Sequence, residues 1–195
     1  MFRESWVPRT KLGSLVKSDH YSALSEVLLN HKILEPQIID HFDENWKTQV
    51  VSVDRVSHTL RSGKIYGFRV VALLGRKNFI GCGIGKSTVR AQAVKKAVLE
   101  AKKNMICLDK LLSDDTLCPK KTTSTKKGAT TVTITPLYGS SVTASKLGRI
   151  YCQLCGVSGL RISTGNKKRE RKGKVASKLN YFTALHESMR DQLVV

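Results

Sequence analysis

The chain has 195 residues, with 34 lysines and arginines against 15 acids, and a formal net charge of +19. Its 41% hydrophobic content suffices for a core, and the length suits two small domains rather than one. That charge points to a polyanionic partner. An anionic membrane is the weaker option, because nothing approaches the run of about 18 apolar residues that spans a bilayer and no helix pairs a bulky apolar face with a uniformly basic one. The opening Met-Phe-Arg-Glu-Ser-Trp-Val-Pro holds no apolar signal core, and the five cysteines, an odd number, read as reduced thiols in a reducing compartment.

Residues 1–47 read as an N-terminal extension. Pro8 and Gly13 argue against a helix in Trp6–Lys17, so an extended basic arm is expected there. Tyr21, Leu24, Val27 and Leu28 then recur at helical spacing, and Ile33–Phe42 holds a further short helical turn or two.

Residues 48–108 predict a compact α+β unit. Val50–Arg55 alternates and β-branches like a strand, Arg61-Ser62-Gly63-Lys64 turns, Phe68–Leu74 is a second strand, Gly75-Arg76-Lys77-Asn78 a second turn, and Phe79–Gly83 a third strand. A helix from about Thr88 to Met105 places Ala93, Val94, Ala97, Val98, Ala101 and Met105 on one face. Three antiparallel strands with one helix leave the other sheet face, the basic turns and the helix start free for a partner. Gly81-Cys-Gly-Ile-Gly-Lys-Ser87 ends like a nucleotide-binding loop, but Ile80 stands where the first glycine is required, and Lys86 where the third glycine of a dinucleotide fingerprint belongs. Close packing of strand and helix accounts for the glycines, and contact with a phosphate of a polyanionic partner is the expectation for Lys86.

Residues 109–195 predict a second unit of order βαβα. The junction to 128 is acidic first and breaker-rich afterwards, with Thr122–Thr125 available to pair with the next strand. Gly128–Pro136 alternates strictly. Ser145 caps a helix whose face carries Leu147, Ile150, Tyr151, Leu154 and Cys155 and which Gly156 closes. Gly159–Ser163 is a short strand, and a last helix from about Lys174 to Leu193 turns Val175, Leu179, Phe182, Leu185 and Met189 inward. Cys152 and Cys155 have no second close pair to complete a zinc site, the histidines are scattered, and no carboxylate pair or Ser/His/Asp arrangement suggests catalysis. No metal, cofactor or enzyme is expected. Between Lys120 and Lys174 thirteen lysines and arginines face one acid, Glu170, with the densest run at Lys167–Lys174.

Val-Asp-Arg-Val-Ser, then Arg61-Ser-Gly-Lys-Ile, Gly81-x-Gly83-x-Gly85-Lys86 and Ala-x-x-x-Ala-Lys-Lys-Asn-Met-Ile together resemble the N-terminal domain of the universal S-five family of small-subunit ribosomal proteins, called S-two in eukaryotes. Ile-Thr-Pro-Leu, Gly-Ser-Ser-Val and Cys-Gly-Val resemble its C-terminal domain more loosely. Trp-x-Pro-x-Thr-Lys-Leu-Gly-x-Leu-Val and Ile33–Asp40 are similar to the eukaryotic and archaeal branch. The long Gly/Arg-rich N-terminal tail of many eukaryotic members is not in this sequence. The family's Gly-Asp-Gly-Asn-Gly turn here is Gly75-Arg76-Lys77-Asn78, and its Glu-Val is Val89-Arg90; both changes add positive charge.

The resemblance implies a double-stranded-RNA-binding-like first domain and a non-catalytic constituent of the small ribosomal subunit. It would bind small-subunit ribosomal RNA near the decoding region and where the messenger enters, with messenger RNA nearby and the hairpin tip His58–Lys64 bracing RNA that moves during tRNA selection. Expected neighbours are proteins of the S-four, S-three and S-eight types. Expected RNA contacts are Arg61 and Lys64 on the first turn, Arg76 and Lys77 on the second, Lys86 and Arg90 before and at the helix, Lys146 and Arg149 on the later helix, and Lys167, Lys168, Arg169, Arg171, Lys172 and Lys174 in the basic run. The expected place is the cytoplasmic ribosome, with nucleolar passage during assembly, ahead of an organellar ribosome. A free double-stranded-RNA-binding protein is the alternative from the binding class, and a GKS-type NTPase the alternative from the enzyme class.

Overall fold

The computed structural model describes residues 6–43, 45–109, 112–113, 116–165 and 177–193. Three short helices come first: α1 Lys11–Lys17, α2 Leu24–Asn30 and α3 Gln37–Phe42. The expected extended arm is thus corrected over 11–17. Pro8 lies ahead of the helix, and the Thr10 side chain caps it by accepting from the Gly13 N–H at 3.1 Å. Gly13 serves packing: a Cβ there would meet Pro8 Cβ at 2.9 Å and Trp6 at 3.1 Å. The three helices and their connection bury Val16, Val27, Ile33, Ile38 and Ile39 against Leu74 and Met105 of the first sheet and Ala101 of the helix packed on it. Lys102 Nζ reaches both Asp40 carboxylate oxygens at 2.7 Å.

The first sheet has strand order β1-β2-β3-β4, from β1 Lys47–Leu60, β2 Gly63–Arg76, β3 Phe79–Ser87 and β4 Met105–Cys107. Helix α4, Arg90–Lys103, links β3 to β4. The three expected strands become four, because the chain reverses at Asn104 and Met105 pairs with Gly81 instead of extending the helix. β1 and β2 are far longer than their apolar cores, since the hairpin register runs unbroken from Ser52↔Val71 to Leu60↔Gly63, past the reach of the core. An extra residue between Val50 and Ser52 makes a bulge at the base of that extension.

Gly81, Gly83 and Gly85 face α4, whose Ala93, Ala97 and Ala101 are fully buried. A Cβ on these glycines would lie 2.2 Å from Ala101 O, 2.1 Å from Ala97 O and 2.0 Å from Ala93 O, respectively. Helix and sheet therefore touch backbone to backbone. Lys86 and Ser87 remain in the strand, so the glycine-rich stretch forms no phosphate-cradling loop.

The second sheet has order β7-β8-β10-β9, from β7 Thr123–Lys127, β8 Thr130–Pro136, β9 Val142–Thr143 and β10 Leu160–Gly165. β9 runs parallel to β10, and the remaining pairs are antiparallel. The expected pairing of Thr122–Thr125 is present, and the simple βαβα order gains β7 and β9. Two further short strands, β5 Leu112–Ser113 and β6 Thr116–Leu117, pair with each other in the junction. Helix α5, Lys146–Cys155, starts at Ser145, whose hydroxyl accepts from Gly148 N, and ends at Gly156 with φ +76°. Helix α6, Lys178–Asp191, buries Tyr181, Phe182, Ala184, Leu185, Ser188 and Met189; Val175 and the expected start at Lys174 lie outside the described residues.

The two sheets share one core. Val71, Leu73, Ile80, Cys82 and Ile106, on the face of the first sheet away from α4, pack with Val132, Ile134, Tyr151, Cys155, Phe182 and Leu185. The expectation that this sheet face is open to a partner is corrected: α5 and α6 cover it, because alternate residues of β2 and β3 are apolar on both faces. A polar chain crosses the seam. The Tyr151 hydroxyl pairs with His186 Nδ1 at 3.1 Å, His186 Nε2 with the Asn104 carbonyl at 2.7 Å, and Asn104 Nδ2 donates to Cys82 O at 3.4 Å.

Candidate nucleic-acid interface

With that sheet face buried, the described cations expected to meet a partner lie at four separate places. The first is the hairpin tip. From Asp54 to Leu60 and from Gly63 to Arg69 the hairpin leaves the body, projecting about 20 Å beyond Arg55 at the usual rise per residue. Arg61 and Ser62 form the turn, Gly63 takes φ +133°, a conformation that disfavours a side chain, and His58, Arg61 and Lys64 are all exposed. Behind the tip the Arg55 guanidinium lies 4.0 Å above the Tyr66 ring, which stiffens the hairpin and holds a third cation on the α4 side.

The second place is the row across β2 and β3, where Lys86 sits directly opposite Arg69. Like charges in cross-strand register repel, and an anion between them relieves that repulsion. The sequence points to Lys86 and gives no comparable sign of Arg69; only strand alternation past Phe68 puts it on the same face. The buried Arg69 Nε has no hydrogen-bond partner. Arg90, also exposed, opens α4 nearby in sequence, and no acid occupies that helix's first turn.

The third place is the β2–β3 turn, at the opposite end of β2 from the tip and roughly 40 Å away along the strand. Arg76 forms an ion pair with Asp43, and Asn78 N–H donates to Cys155 O at 3.2 Å, so this turn also ties the N-terminal helices and α5 to the sheet. Lys77 stays exposed beside the α5 C-terminus, where the helix dipole favours a cation. The fourth is the start of α5, with Lys146 exposed and Arg149 Nε donating to Ala144 O at 3.2 Å. Lys167, Lys168, Arg169, Arg171, Lys172 and Lys174 lie outside the described residues.

Nucleophiles and metal ligands are poorly placed for chemistry. Cys152 and Cys155 are both buried in the shared core, where desolvation pushes the Cys152 thiol up to about 12 and Cys155 higher still. Among the described residues no three His, Cys, Asp or Glu side chains gather as a metal site, and no helix is long and apolar enough to cross a membrane.

The arrangement is one of dispersed, exposed cations on a frame whose two sheets share one core. A model described as "Ribosomal protein S5, N-terminal domain" matches residues 46–109, the stretch that contains the hairpin and the glycine-packed helix. A protein of Hyperthermus butylicus described as "Small ribosomal subunit protein uS5" is 30% identical over 197 residues, which cover 96% of this chain and 89% of that protein. The chain belongs to the uS5 family. Two further uS5 proteins align along nearly the same span: that of Pyrobaculum islandicum at 28% identity, covering 95% of this chain and 93% of its own, and that of Methanothermobacter thermautotrophicus at 29%, covering 96% and 88%. The assignment is to the archaeal branch of uS5. Membership of this ribosomal family goes with a structural, non-enzymatic role, in keeping with β3 glycines that serve packing.

Proposed function

We infer that this uS5 chain is a structural constituent of the small ribosomal subunit that binds its ribosomal RNA and supports accurate translation. The observation that carries the reading is the full-length similarity to small-subunit uS5 proteins, joined to exposed cations on a projecting hairpin and at helix starts. Binding is electrostatic and shape-based: Arg61 and Lys64 take phosphates at the tip, Lys86 with Arg69 and Arg90 along the body, and Lys146 and Arg149 beside the second sheet. Lys77 adds a contact at the far turn, and Arg76 a weaker one, its charge being already engaged by Asp43. Lys167, Lys168, Arg169, Arg171, Lys172 and Lys174 contribute through charge neutralisation.

The chain divides into an extension at 1–47, a double-stranded-RNA-binding-like unit at 48–108 and a C-terminal ribosomal unit at 109–195. The tip His58–Lys64 lies by the decoding region and the place where messenger enters, with S-four, S-three and S-eight type proteins as neighbours. The protein works in cytoplasmic ribosomes, passing through a nucleolus where the cell has one. Fractionation of a lysate on a sucrose gradient tests the reading. The chain is expected with small subunits and full ribosomes after a high-salt wash, since many dispersed contacts must break together for release. Recovery mainly in the light soluble fractions would instead mean a free RNA-binding protein.

A further inference from the structure

The outer face of the second sheet is left uncovered by the described residues. Val132, Ile134, Leu160 and Ile162 turn inward to the shared core, so their neighbours along β8 and β10 turn outward. Cross-strand register sets Thr133 between Ser124 and Ser163, Arg161 between Thr135 and Thr143, and Lys126 beside Thr131. Ser124 and Thr133 hydroxyls bond to each other at 3.1 Å across β7 and β8. None of the four strands contains an aspartate or glutamate. Lys126 and Arg161 therefore stand exposed with no carboxylate beside them on the sheet, whereas Lys127, on the opposite side, is paired with Glu187 at 2.7 Å.

Tyr138 stands in the loop that follows β8, at the end of this sheet, and is fully exposed. Its loop is tied at both ends to the start of β10: Leu137 N donates to Gly159 O at 2.8 Å, and Leu160 N donates to Ser141 O at 3.2 Å. Gly139, beside the tyrosine, takes φ +92°, which a side chain there would strain. The Tyr138 ring projects from this anchored loop clear of the rest of the described chain, so an apolar surface is held in water.

We infer that this face, with Tyr138 at its end, binds a single-stranded RNA segment by stacking a base on the ring while Arg161, Lys126 and the Ser/Thr rows take phosphates and 2′-hydroxyls. The inference rests on the RNA-binding reading above and assigns it a second surface, distinct from the hairpin. Charge complementarity selects the occupant: the face has cations without acids, hydroxyls suited to ribose, and one aromatic plane. A protein partner would require a buried apolar centre, which serines, threonines, lysine and arginine do not supply.

The test uses the full chain with two probes, transcribed small-subunit ribosomal RNA and a short labelled oligoadenylate. Tyr138→Ala is expected to weaken oligoadenylate binding about five- to hundredfold without changing the salt slope, because stacking carries no counterion release. Tyr138→Phe should bind within about twofold of the native chain, since the ring is kept. Arg161→Ser should lower the slope of log affinity against log salt by about 0.7. Unchanged melting temperatures verify that these exposed positions leave the fold intact. The inference is overturned if Tyr138→Ala binds both probes like the native chain, or if Tyr138→Phe loses as much as alanine. Native RNA affinity in Tyr138→Ala combined with failed incorporation into subunits would also overturn it, assigning the face to a protein neighbour. A native chain that does not bind the ribosomal RNA would remove the functional reading itself, an outcome separable from those above.

Discussion

Gly83 and Lys86 are near neighbours on β3 and do opposite work. Gly83 lies under α4, where even a methyl group would meet the Ala97 carbonyl oxygen at 2.1 Å, and the obstacle is backbone that cannot rotate away. Gly83→Val should cost about 3 kcal/mol or more, read as a lowered urea midpoint. Lys86→Ala should leave that midpoint unchanged and weaken RNA binding, since the side chain is exposed on the face away from the helix. ATP binding that vanished with Lys86→Ala would contradict the packing account of the glycines. His186 carries a pH signature. Desolvation holds it down at about 4, against an ordinary 6.5; Arg190 adds to that push, while the bond to the Asn104 carbonyl and Glu187 oppose it. An unfolded chain then takes a proton between pH 6.5 and 4 that the native chain refuses. Stability is full above about 6.5 and declines as pH falls towards 4. His186→Gln should remove up to about 1.4 kcal/mol per pH unit of that slope, measured by urea unfolding at several pH values in this window. An identical slope in the variant would mean that His186 titrates normally.

At the scale of the element, the β1–β2 hairpin is the part least tied to the body. No buried residue lies between Val53 and Val70, so the tip tolerates substitution and its charges act outward. Replacing Arg61 and Lys64 with serine should leave the melting temperature within about 1 °C, because exposed positions away from the core rarely matter to stability. The same pair should lower the salt slope of RNA binding by about 1.4 to 1.8, one increment for each phosphate no longer neutralised. If the tip braces RNA by the decoding region, misreading frequency changes while subunits still assemble. Normal fidelity with normal subunit levels would take the decoding role away from this hairpin. The run Lys167–Lys174 is tested alike: serine at Lys167, Lys168, Arg169, Arg171 and Lys172 should lower the slope by about three to four units, and an unchanged slope would make it a solvated segment.

For the whole molecule, the shared core makes the two sheets a single cooperative body. Leu73 and Cys82 of the first sheet and Tyr151, Phe182 and Leu185 of the second half belong to one apolar cluster, and the Tyr151–His186–Asn104 chain bonds across it. Urea unfolding followed by tryptophan fluorescence, which reports Trp6 and Trp46 near the first sheet, should coincide with loss of ellipticity from the whole chain. Leu73→Ala should move both signals together by about 2–4 kcal/mol, because the cavity it leaves lies between the sheets. Two separated transitions would show that the halves fold independently.

The sequence by itself determined the elements whose cues are local. A continuous apolar run marks the strand at Phe68–Leu74 and period-two alternation the one at Thr130–Pro136, Ser145 and Gly156 bound α5, and the alanine spacing of α4 is enough to name its buried face. It also carries the family, because motif residues recur in order along the chain. Tertiary structure alone decided three matters. Thr10 and the packing of Pro8 and Trp6 make a helix of a segment whose glycine and proline argue against one. Strand register brings Arg69 opposite Lys86, a neighbourhood that depends on which residues align across β2 and β3. The covering of the first sheet by α5 and α6, and hence the exposure of the second sheet instead, depends on contacts between residues far apart along the chain. Local propensity carries no information about such contacts; they are selected by the area of apolar surface that two preformed faces can remove from water together.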